Sequence, residues 1–220
     1  MALLHYAPAT TPSFEVLYQD DDLIVLNKAP GLLSVPGKAL EHKDSLQLRV
    51  QRVFPTASVV HRLDMATSGI IVMALNKAAH VSISRQFELR QTSKTYFARV
   101  YGIPTATQGE INLALICDWP NRPKQKIDIE KGKSAITHWQ LVSHNGTSSL
   151  IKLTPITGRS HQLRVHMLAI GHPILGDRLY AHEHARSLSN RLCLHAQELS
   201  FMHPSTEQIM RFEVAHTFDS

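Results

Sequence analysis

The chain has 220 residues, 43% of them apolar, and a formal net charge of +5 at neutral pH. This size predicts one domain with a substantial core, and the charge favours a polyanionic partner, RNA first among them. No apolar run approaches the roughly 18 residues of a membrane span, and the N-terminus lacks a secretory signal. We therefore expect a cytoplasmic protein without membrane association, for which the isolated Cys117 and Cys193 predict no disulfide.

The N-terminal part of the chain predicts a tail, a hairpin and a helix. Residues 7–12 contain two prolines interleaved with Ala and Thr, which indicates an extended stretch with little order. We expect the N-terminal tail to cover residues 1–12. Strand-like runs over 14–18 and 23–27 flank an acidic turn that is typical of a solvated hairpin tip. After two Pro-Gly turns, Asp44 or Ser45 is expected to cap a short helix.

The stretch His61-Arg62-Leu63-Asp64-Met65-Ala66-Thr67-Ser68-Gly69 places one acid beside a basic pair. The apolar runs on both sides predict buried strands, so the polar stretch must surface at the strand ends. Asp64 beside Arg62 is expected to be ionised at neutral pH, which suits a nucleophile or a general base. For an arbitrary loop aspartate, a turn cap paired with Arg62 is the simpler interpretation.

The middle of the chain predicts a helix, a strand and a basic loop. Asn76 opens an amphipathic helix, and the alternation that follows predicts a strand in which Tyr96 would ordinarily be half-buried. A basic segment beside Trp119 has the charges and the indole that an RNA-tracking loop would use. A solvated insertion fits this segment nearly as well. The possible RNA contacts in it are Arg122, Lys124 and Lys126.

A second hairpin precedes another informative segment. Its strands are expected over 135–142 and 149–153. In the segment that follows, Ser160 is the expected N-cap of a helix and Gly171 its C-terminal stop. The turn before this helix offers backbone donors suited to a phosphate or a carboxylate. Two further possible RNA contacts come from this turn, Arg159 and His161.

Fourteen histidines raise the question of a metal site. His161 and His166 are five residues apart, which places them roughly 140° away from a common helical face. No His-Glu-x-x-His, Cys-x-x-Cys or paired acid accompanies them, and the chain contains neither a P-loop nor a Gly-x-Gly-x-x-Gly. We therefore predict no metal and no cofactor.

Four motifs, in order along the chain, resemble those of the RluA family of RNA pseudouridine synthases. The first is Asn27-Lys28-Ala29-Pro30-Gly31, in which Ala29 stands at the usual proline position and Lys28 is a further possible RNA contact. The second is the stretch around Asp64. The third is Lys-x-Tyr-x-Ala-x-Val-x-Gly from Lys94, and the fourth includes the helix after Ser160.

The resemblance implies an α+β fold with a mixed, largely antiparallel sheet in two halves, flanking helices and a central cleft that holds Asp64. It implies one catalytic domain over residues 13–220, without the S4-type RNA-binding domain of related synthases. Asp64 would be the indispensable catalytic residue, and Arg62 would fill the stack vacated by the flipped base. Tyr96 would pack on the uracil, and Arg164 would pair with Asp64. A generic helical Arg would more simply pair with another acid at the surface.

The implied reaction converts uridine in structured RNA to pseudouridine. The short chain and the basic segment resemble most the dual-specificity member of the family, which implies two substrates: the first uridine of a tRNA anticodon loop and a hairpin-loop uridine of 23S rRNA. A synthase for one RNA site and a non-enzymatic RNA-binding protein are the alternatives. Asp64 argues against the non-enzymatic RNA-binding protein, because a protein that only binds RNA gains nothing from a carboxylate pointed at a polyanion. We expect a monomer with no obligate protein partner.

Overall fold

The computed structural model describes residues 6–218, which form twelve strands and four α-helices, and the α+β prediction is confirmed. None of the helices among these residues is long and apolar enough to cross a membrane. The helices are α1 Leu46–Gln51, α2 Lys77–Glu88, α3 Gln162–Ala169 and α4 Glu183–Ser187. The strands are β1 Glu15–Gln19, β2 Leu23–Lys28, β3 Ser58–Val59, β4 Ser68–Ala74, β5 Ser93–Tyr101, β6 Gln108–Asn112, β7 Leu115–Cys117, β8 Gln125–Ile127, β9 Ile136–His144, β10 Ser148–Pro155, β11 Leu194–Met202 and β12 Ile209–Glu213.

The described residues fall into two compact units. The first unit contains residues 6–94 and Ala196–His216, and the second contains Thr95–His195 with residues 217–218. The chain passes from one unit to the other inside β5 and again inside β11. The prediction of a single domain over residues 13–220 stays a prediction.

The first unit is a sheet covered by a helix, in which β1, β2, β3 and β4 pair antiparallel, as do β11 and β12. Its strand order is β1-β2-β4-β11, with β3 on β4 and β12 on β11. β2 and β4 are continuous apolar runs and both are buried, as expected for central strands. Ala79 and Ile83 of α2 join their core. The predicted caps are present, because Asn76 accepts from Ala79 N–H and Ser45 from Leu48 N–H.

The acidic turn between β1 and β2 is not simply solvated. The Asp20 carboxylate accepts the backbone N–H of Asp22 and of Leu23 over 2.8 and 2.9 Å. It also accepts from Tyr18 Oη and from His203 Nε2, both over 2.8 Å. These bonds hold the pKa of Asp20 below its usual value against the opposing effect of burial. The turn therefore joins the β1–β2 hairpin to the segment between β11 and β12.

The N-terminal tail is held more firmly than the sequence predicts. Residues 1–5 of the predicted tail lie outside the described part. Tyr6 Oη donates to the carbonyl of Asp44 over 2.8 Å and accepts from Leu33 N–H over 3.0 Å. Arg49 Nη1 donates to the carbonyl of Ala9 over 2.8 Å. The expectation of little order over residues 7–12 is therefore wrong at Ala9, and Tyr6 anchors the tail just before them.

The second unit is also antiparallel, in the order β5-β10-β9-β6, and β7 and β8 form a separate two-stranded sheet. The predicted second hairpin is confirmed as β9 and β10. α3 stops at Gly171, as predicted, with φ +85. Its start is one residue later than predicted. His161, not Ser160, holds the N-cap position, and its side chain makes no capping hydrogen bond.

Candidate active site

The stretch around Asp64 forms the loop between β3 and β4 in the first unit, residues 60–67. Leu63 is buried, Asp64 is partly buried and Arg62 is exposed. The motif ends at Gly69, where a Cβ would lie 2.3 Å from the carbonyl oxygen of Ala196. Only glycine fits at that position, which also has φ +112. The loop therefore enters β4 along a path that no other residue type would allow.

Both neighbours of Asp64 are fixed by hydrogen bonds. Ser34 Oγ donates to the carbonyl of Leu63 over 2.7 Å and accepts from Leu63 N–H over 3.2 Å. Gly31 N–H donates to the carbonyl of Met65 over 2.9 Å. Because the backbone is tied one residue before and one residue after the carboxylate, Asp64 is held in one place before any substrate binds.

Lys28 belongs to this tether, and its prediction as an RNA contact is wrong. The side chain is 0% exposed. Its Nζ donates to the carbonyls of Ala29, Leu32 and Met65 over 2.9, 2.7 and 3.0 Å. An ammonium buried among carbonyl oxygens cannot reach a phosphate. It clamps the turn of the first motif onto the loop that carries Asp64.

His61 is neutral, so the pair that it forms with Arg62 carries one positive charge. Val72 N–H donates to His61 Nε2 over 3.1 Å, which leaves the ring proton on Nδ1. The ring stacks on Phe87 with centroids 4.3 Å apart. Burial, with a smaller contribution from the charge of Lys94, lowers the pKa of His61 to about 3. The interpretation of His61 as half of a basic pair is therefore wrong.

An open groove of about 520 Å³ lies beside the loop of residues 60–67, called the catalytic loop below because of the role proposed for Asp64, and includes Arg62 in its lining. Gln47, Ser58 and His80 supply further polar groups. Arg62 is exposed at this surface, as a side chain that moves into an RNA stack must be. That role of Arg62 stays a prediction.

Two of the predicted site residues, Tyr96 and Arg164, lie in the second unit. Tyr96 is partly buried in β5, opposite Leu153 of β10. Arg164 lies on α3 and is only 5% exposed. The packing of Tyr96 on uracil, the pairing of Arg164 with Asp64 and the central cleft stay predictions.

Asp177 holds Arg164 within the second unit, and sequence reasoning missed it. Its carboxylate accepts from Nε and Nη2 of Arg164 over 2.7 and 2.6 Å, and it is 1% exposed. The same carboxylate accepts from the backbone N–H groups of Leu179 and Tyr180 over 2.9 and 3.2 Å. A bidentate pair of this kind fixes the guanidinium plane. The simpler interpretation of Arg164 is right about a second acid and wrong about a surface location.

The basic loop, defined here as residues 118–126, projects from the β7–β8 pair. Trp119 is 65% exposed, and the Arg122 guanidinium lies 4.5 Å from the centroid of its indole. Lys126 is exposed and Lys124 is partly buried. An exposed indole beside several cations is the combination that single-stranded RNA favours, for base stacking and phosphate contacts. The RNA contacts of Arg122, Lys124 and Lys126 stay predictions.

In the turn before α3, two donors of Arg159 already bind other groups of the protein. Arg159 N–H donates to Gln162 Oε1 over 3.0 Å, and Arg159 Nε donates to the carbonyl of Ser134 over 3.0 Å. His161 Nδ1 lies 2.6 Å from Tyr180 Oη. The predicted RNA contacts of Arg159 and His161 stay predictions, with protein partners already present for both.

The sequence from residue 22 to 169 matches the family model described as RNA pseudouridylate synthase. "Dual-specificity RNA pseudouridine synthase RluA" from Yersinia pestis is 58% identical over 204 residues, covering 92% of this chain and 99% of that protein. The protein of the same name from Escherichia coli (strain K12) is 53% identical over 219 residues, covering 99% of this chain and 100% of that protein.

Solved structures give the same answer for the fold. "Human RNA Pseudouridylate Synthase Domain Containing 1" superimposes with a TM-score of 0.80 at 29% identity, covering 96% of this chain and 86% of that chain. "Human RNA Pseudouridylate Synthase Domain Containing 4" superimposes with a TM-score of 0.73 at 27% identity, covering 91% and 88%.

Proposed function

Because the chain belongs to the RNA pseudouridylate synthase family, we propose that Asp64 is its catalytic residue and that a tRNA and 23S rRNA are its substrates. The chain is an isomerase that converts uridine in RNA to pseudouridine. The reaction breaks the bond between uracil N1 and ribose C1′, turns the base, and joins C5 to C1′. Nothing is added to or removed from the nucleotide overall.

The tether on both sides of Asp64 is the observation that carries its assignment. Ser34 fixes the residue before it, and Gly31 with Lys28 fixes the residue after it. Chemistry gains most from groups that are held in place before the substrate arrives. Three steps are open to this carboxylate: attack on C1′, attack on the base, or removal of a ribose proton. Each of them requires the ionised form.

The target uridine must leave its stack before Asp64 can reach the ribose or the base. Extrusion costs a few kcal/mol and is easiest for bases in single-stranded loops. We assign Arg62 to the vacated stack, Tyr96 to the face of the flipped uracil, and Arg164 to the charge balance of Asp64. The negative charges of RNA phosphates repel a carboxylate that lies among them, and a fixed guanidinium offsets that repulsion.

The relatives support two RNA substrates. Proteins that are 58% and 53% identical carry dual specificity in their names, and the family resemblance identifies the targets as the first uridine of a tRNA anticodon loop and a hairpin-loop uridine of 23S rRNA. Both targets lie in loops, where base flipping is easiest. The proposed location is the cytoplasm, where both RNAs occur in bacteria such as those relatives. A synthase for one RNA site is the alternative.

The test is the variant Asp64→Asn, which keeps the size of the side chain and removes the charge. Tritium release from RNA labelled at uridine C5 should fall by more than about 10³-fold, while RNA affinity stays within a few-fold. Asp21→Asn is the matched control, because Asp21 is exposed in the β1–β2 turn. Substantial release by Asp64→Asn would remove Asp64 from the mechanism.

A further inference from the structure

Three elements of the proposed RNA site meet at one side chain of the second unit, Tyr180. Its hydroxyl accepts from the backbone N–H of Gln125, in the basic loop, over 2.8 Å. The same hydroxyl lies 2.6 Å from His161 Nδ1, at the start of α3. Its ring faces the Arg164 guanidinium, 5.0 Å from the centroid. Tyr180 therefore touches the loop, the helix start and the cation together.

The hydroxyl of Tyr180 serves both polar partners with one oxygen atom. A phenolic oxygen carries one proton and accepts through its lone pairs. It accepts from Gln125 N–H, and its role toward His161 Nδ1 follows the tautomer of the imidazole. Removal of the single oxygen atom would therefore break the link to the basic loop and the link to α3 at once.

The backbone at His161 supports a functional reason for this contact. His161 has φ +55 and ψ +15, in the left-handed region that side chains other than glycine rarely adopt. Its side chain does not cap α3. In this strained conformation, His161 hydrogen-bonds the Tyr180 hydroxyl and contacts the Tyr180 ring edge to face. Strain that is held by a specific side-chain contact is typical of functional sites.

Asp177 joins the same arrangement from the other side. Its buried carboxylate binds Arg164 through two nitrogens and also accepts the backbone N–H of Tyr180. The guanidinium is thus enclosed by a carboxylate and an aromatic ring from one short segment. A displacement of this segment would move Arg164 with it.

We propose that Tyr180 is a positioning residue that couples RNA held by the basic loop to the orientation of Arg164. The inference rests on the proposed function and names the ligand of the loop as single-stranded RNA next to the target uridine. Gln125 belongs to the basic loop, and its backbone N–H binds the Tyr180 hydroxyl. The segment that contains Asp177 and Tyr180 in turn fixes the plane of the Arg164 guanidinium. The same segment therefore holds both the loop that binds RNA and the guanidinium of Arg164.

Tyr180→Phe tests the coupling, because it removes the hydroxyl and keeps the ring against Arg164. In the RNA-free protein, hydrogen exchange at the Gln125 amide should accelerate roughly tenfold, as expected for one lost hydrogen bond. In tritium-release assays, KM for an anticodon stem-loop RNA should rise roughly tenfold with kcat retained. Tyr180→Leu, which also removes the ring, should lower kcat as well. Tyr101→Phe, a change of the same kind in β5, should alter neither quantity.

Unchanged exchange at Gln125 together with an unchanged KM in Tyr180→Phe would overturn the proposal. If that variant unfolds, the wild-type protein provides the second measurement. Added stem-loop RNA should slow exchange at Gln125 and at the Leu179 and Tyr180 amides together, and protection confined to the basic loop would overturn the coupling. Absence of tritium release by the wild type would contradict the proposed function alone, since exchange in the RNA-free protein does not depend on activity.

Discussion

The catalytic loop and the basic loop are built in opposite ways. In the first, Leu63 is buried and hydrogen bonds fix the residues on both sides of Asp64. In the second, Trp119 and Arg122 are exposed and contact each other. The difference corresponds to two tasks: bond rearrangement needs a carboxylate held in place, and RNA capture needs charges and an aromatic ring at the surface.

Substitution of Arg164 should have the largest effect on folding stability and on turnover. Arg164→Met leaves the buried Asp177 carboxylate without its guanidinium, so we expect a loss of about 3–5 kcal/mol of folding stability as well as of turnover. Turnover per folded molecule should also fall, because the cation proposed to balance the charge of Asp64 is removed. Arg164→Lys should retain more of both properties. Melting curves and single-turnover rates measure these changes.

A double variant separates the two roles of Arg164. Arg164→Met with Asp177→Asn removes both charges and keeps a side-chain oxygen that accepts from the backbone N–H groups of Leu179 and Tyr180, so it should recover most of the stability that Arg164→Met loses. Turnover should remain low. Recovery of wild-type turnover by the double variant would mean that Arg164 acts on the fold alone.

Neutralising the cations of the basic loop tests its proposed role in RNA binding. Replacing Arg122, Lys124 and Lys126 by Gln should weaken RNA binding and flatten the plot of log affinity against log salt by about 0.7 per lost phosphate contact. Single-turnover rates at saturating RNA should change little. The control is a triple variant with the same change in charge at exposed side chains of the first unit: Lys38, Lys43 and Arg52. An unchanged slope for the loop variant would show that the loop faces away from RNA.

His61 predicts a pH dependence of stability. Its folded-state pKa, lowered to about 3, lies below the unfolded value of 6.5, so the unfolded chain binds the proton first. The stabilisation is complete above about pH 6.5 and is lost as the pH falls toward 3, by up to about 1.4 kcal/mol per pH unit. Denaturant titrations should show a shallower acid decline for His61→Gln. The exposed His184→Gln should keep the wild-type slope, and equal slopes for both variants would contradict this account.

Tyr6 gives the smallest effect. Tyr6→Phe removes a hydroxyl that bonds to Asp44 and Leu33, which should cost about 1 kcal/mol and lower Tm by roughly 2–4 °C. Sequence reasoning alone expects almost no change, because it describes residues 1–12 as a loose tail. An unchanged Tm would favour that description.

Local signals made much of this fold predictable. The caps at Ser45 and Asn76 and the stop at Gly171 depend on residues within a few positions of each other. The buried strand that follows the catalytic loop, β4, is visible as a short β-branched run. The run before the loop also forms a strand, β3, but the prediction that it is buried is wrong, because both of its residues are only partly buried. The identity of Asp64 as the candidate catalytic group depends on the motif around it, and it too could be read from neighbouring residues.

Long-range contacts explain what the sequence could not reveal. Lys28 looks like a loop lysine until the carbonyl of Met65, distant in the chain, is placed beside it. His61 looks basic until Val72 N–H and the Phe87 ring are known to enclose it. Asp177 carries one available signal: a buried helical Arg needs an acid nearby. That signal appears only once the burial of Arg164 is known.

Pseudouridine mapping in cells tests both the catalytic role of Asp64 and the identity of the two RNA substrates. Total tRNA and 23S rRNA would be mapped from cells that lack this chain and from the same cells supplied with either the wild-type protein or Asp64→Asn. In cells without the chain, pseudouridine should be lost at an anticodon-loop uridine and at one hairpin-loop uridine of 23S rRNA. The wild type should restore both sites and Asp64→Asn neither. Loss at one RNA only would favour a single-site synthase, and restoration by Asp64→Asn would contradict the assignment of the chemistry to the catalytic loop.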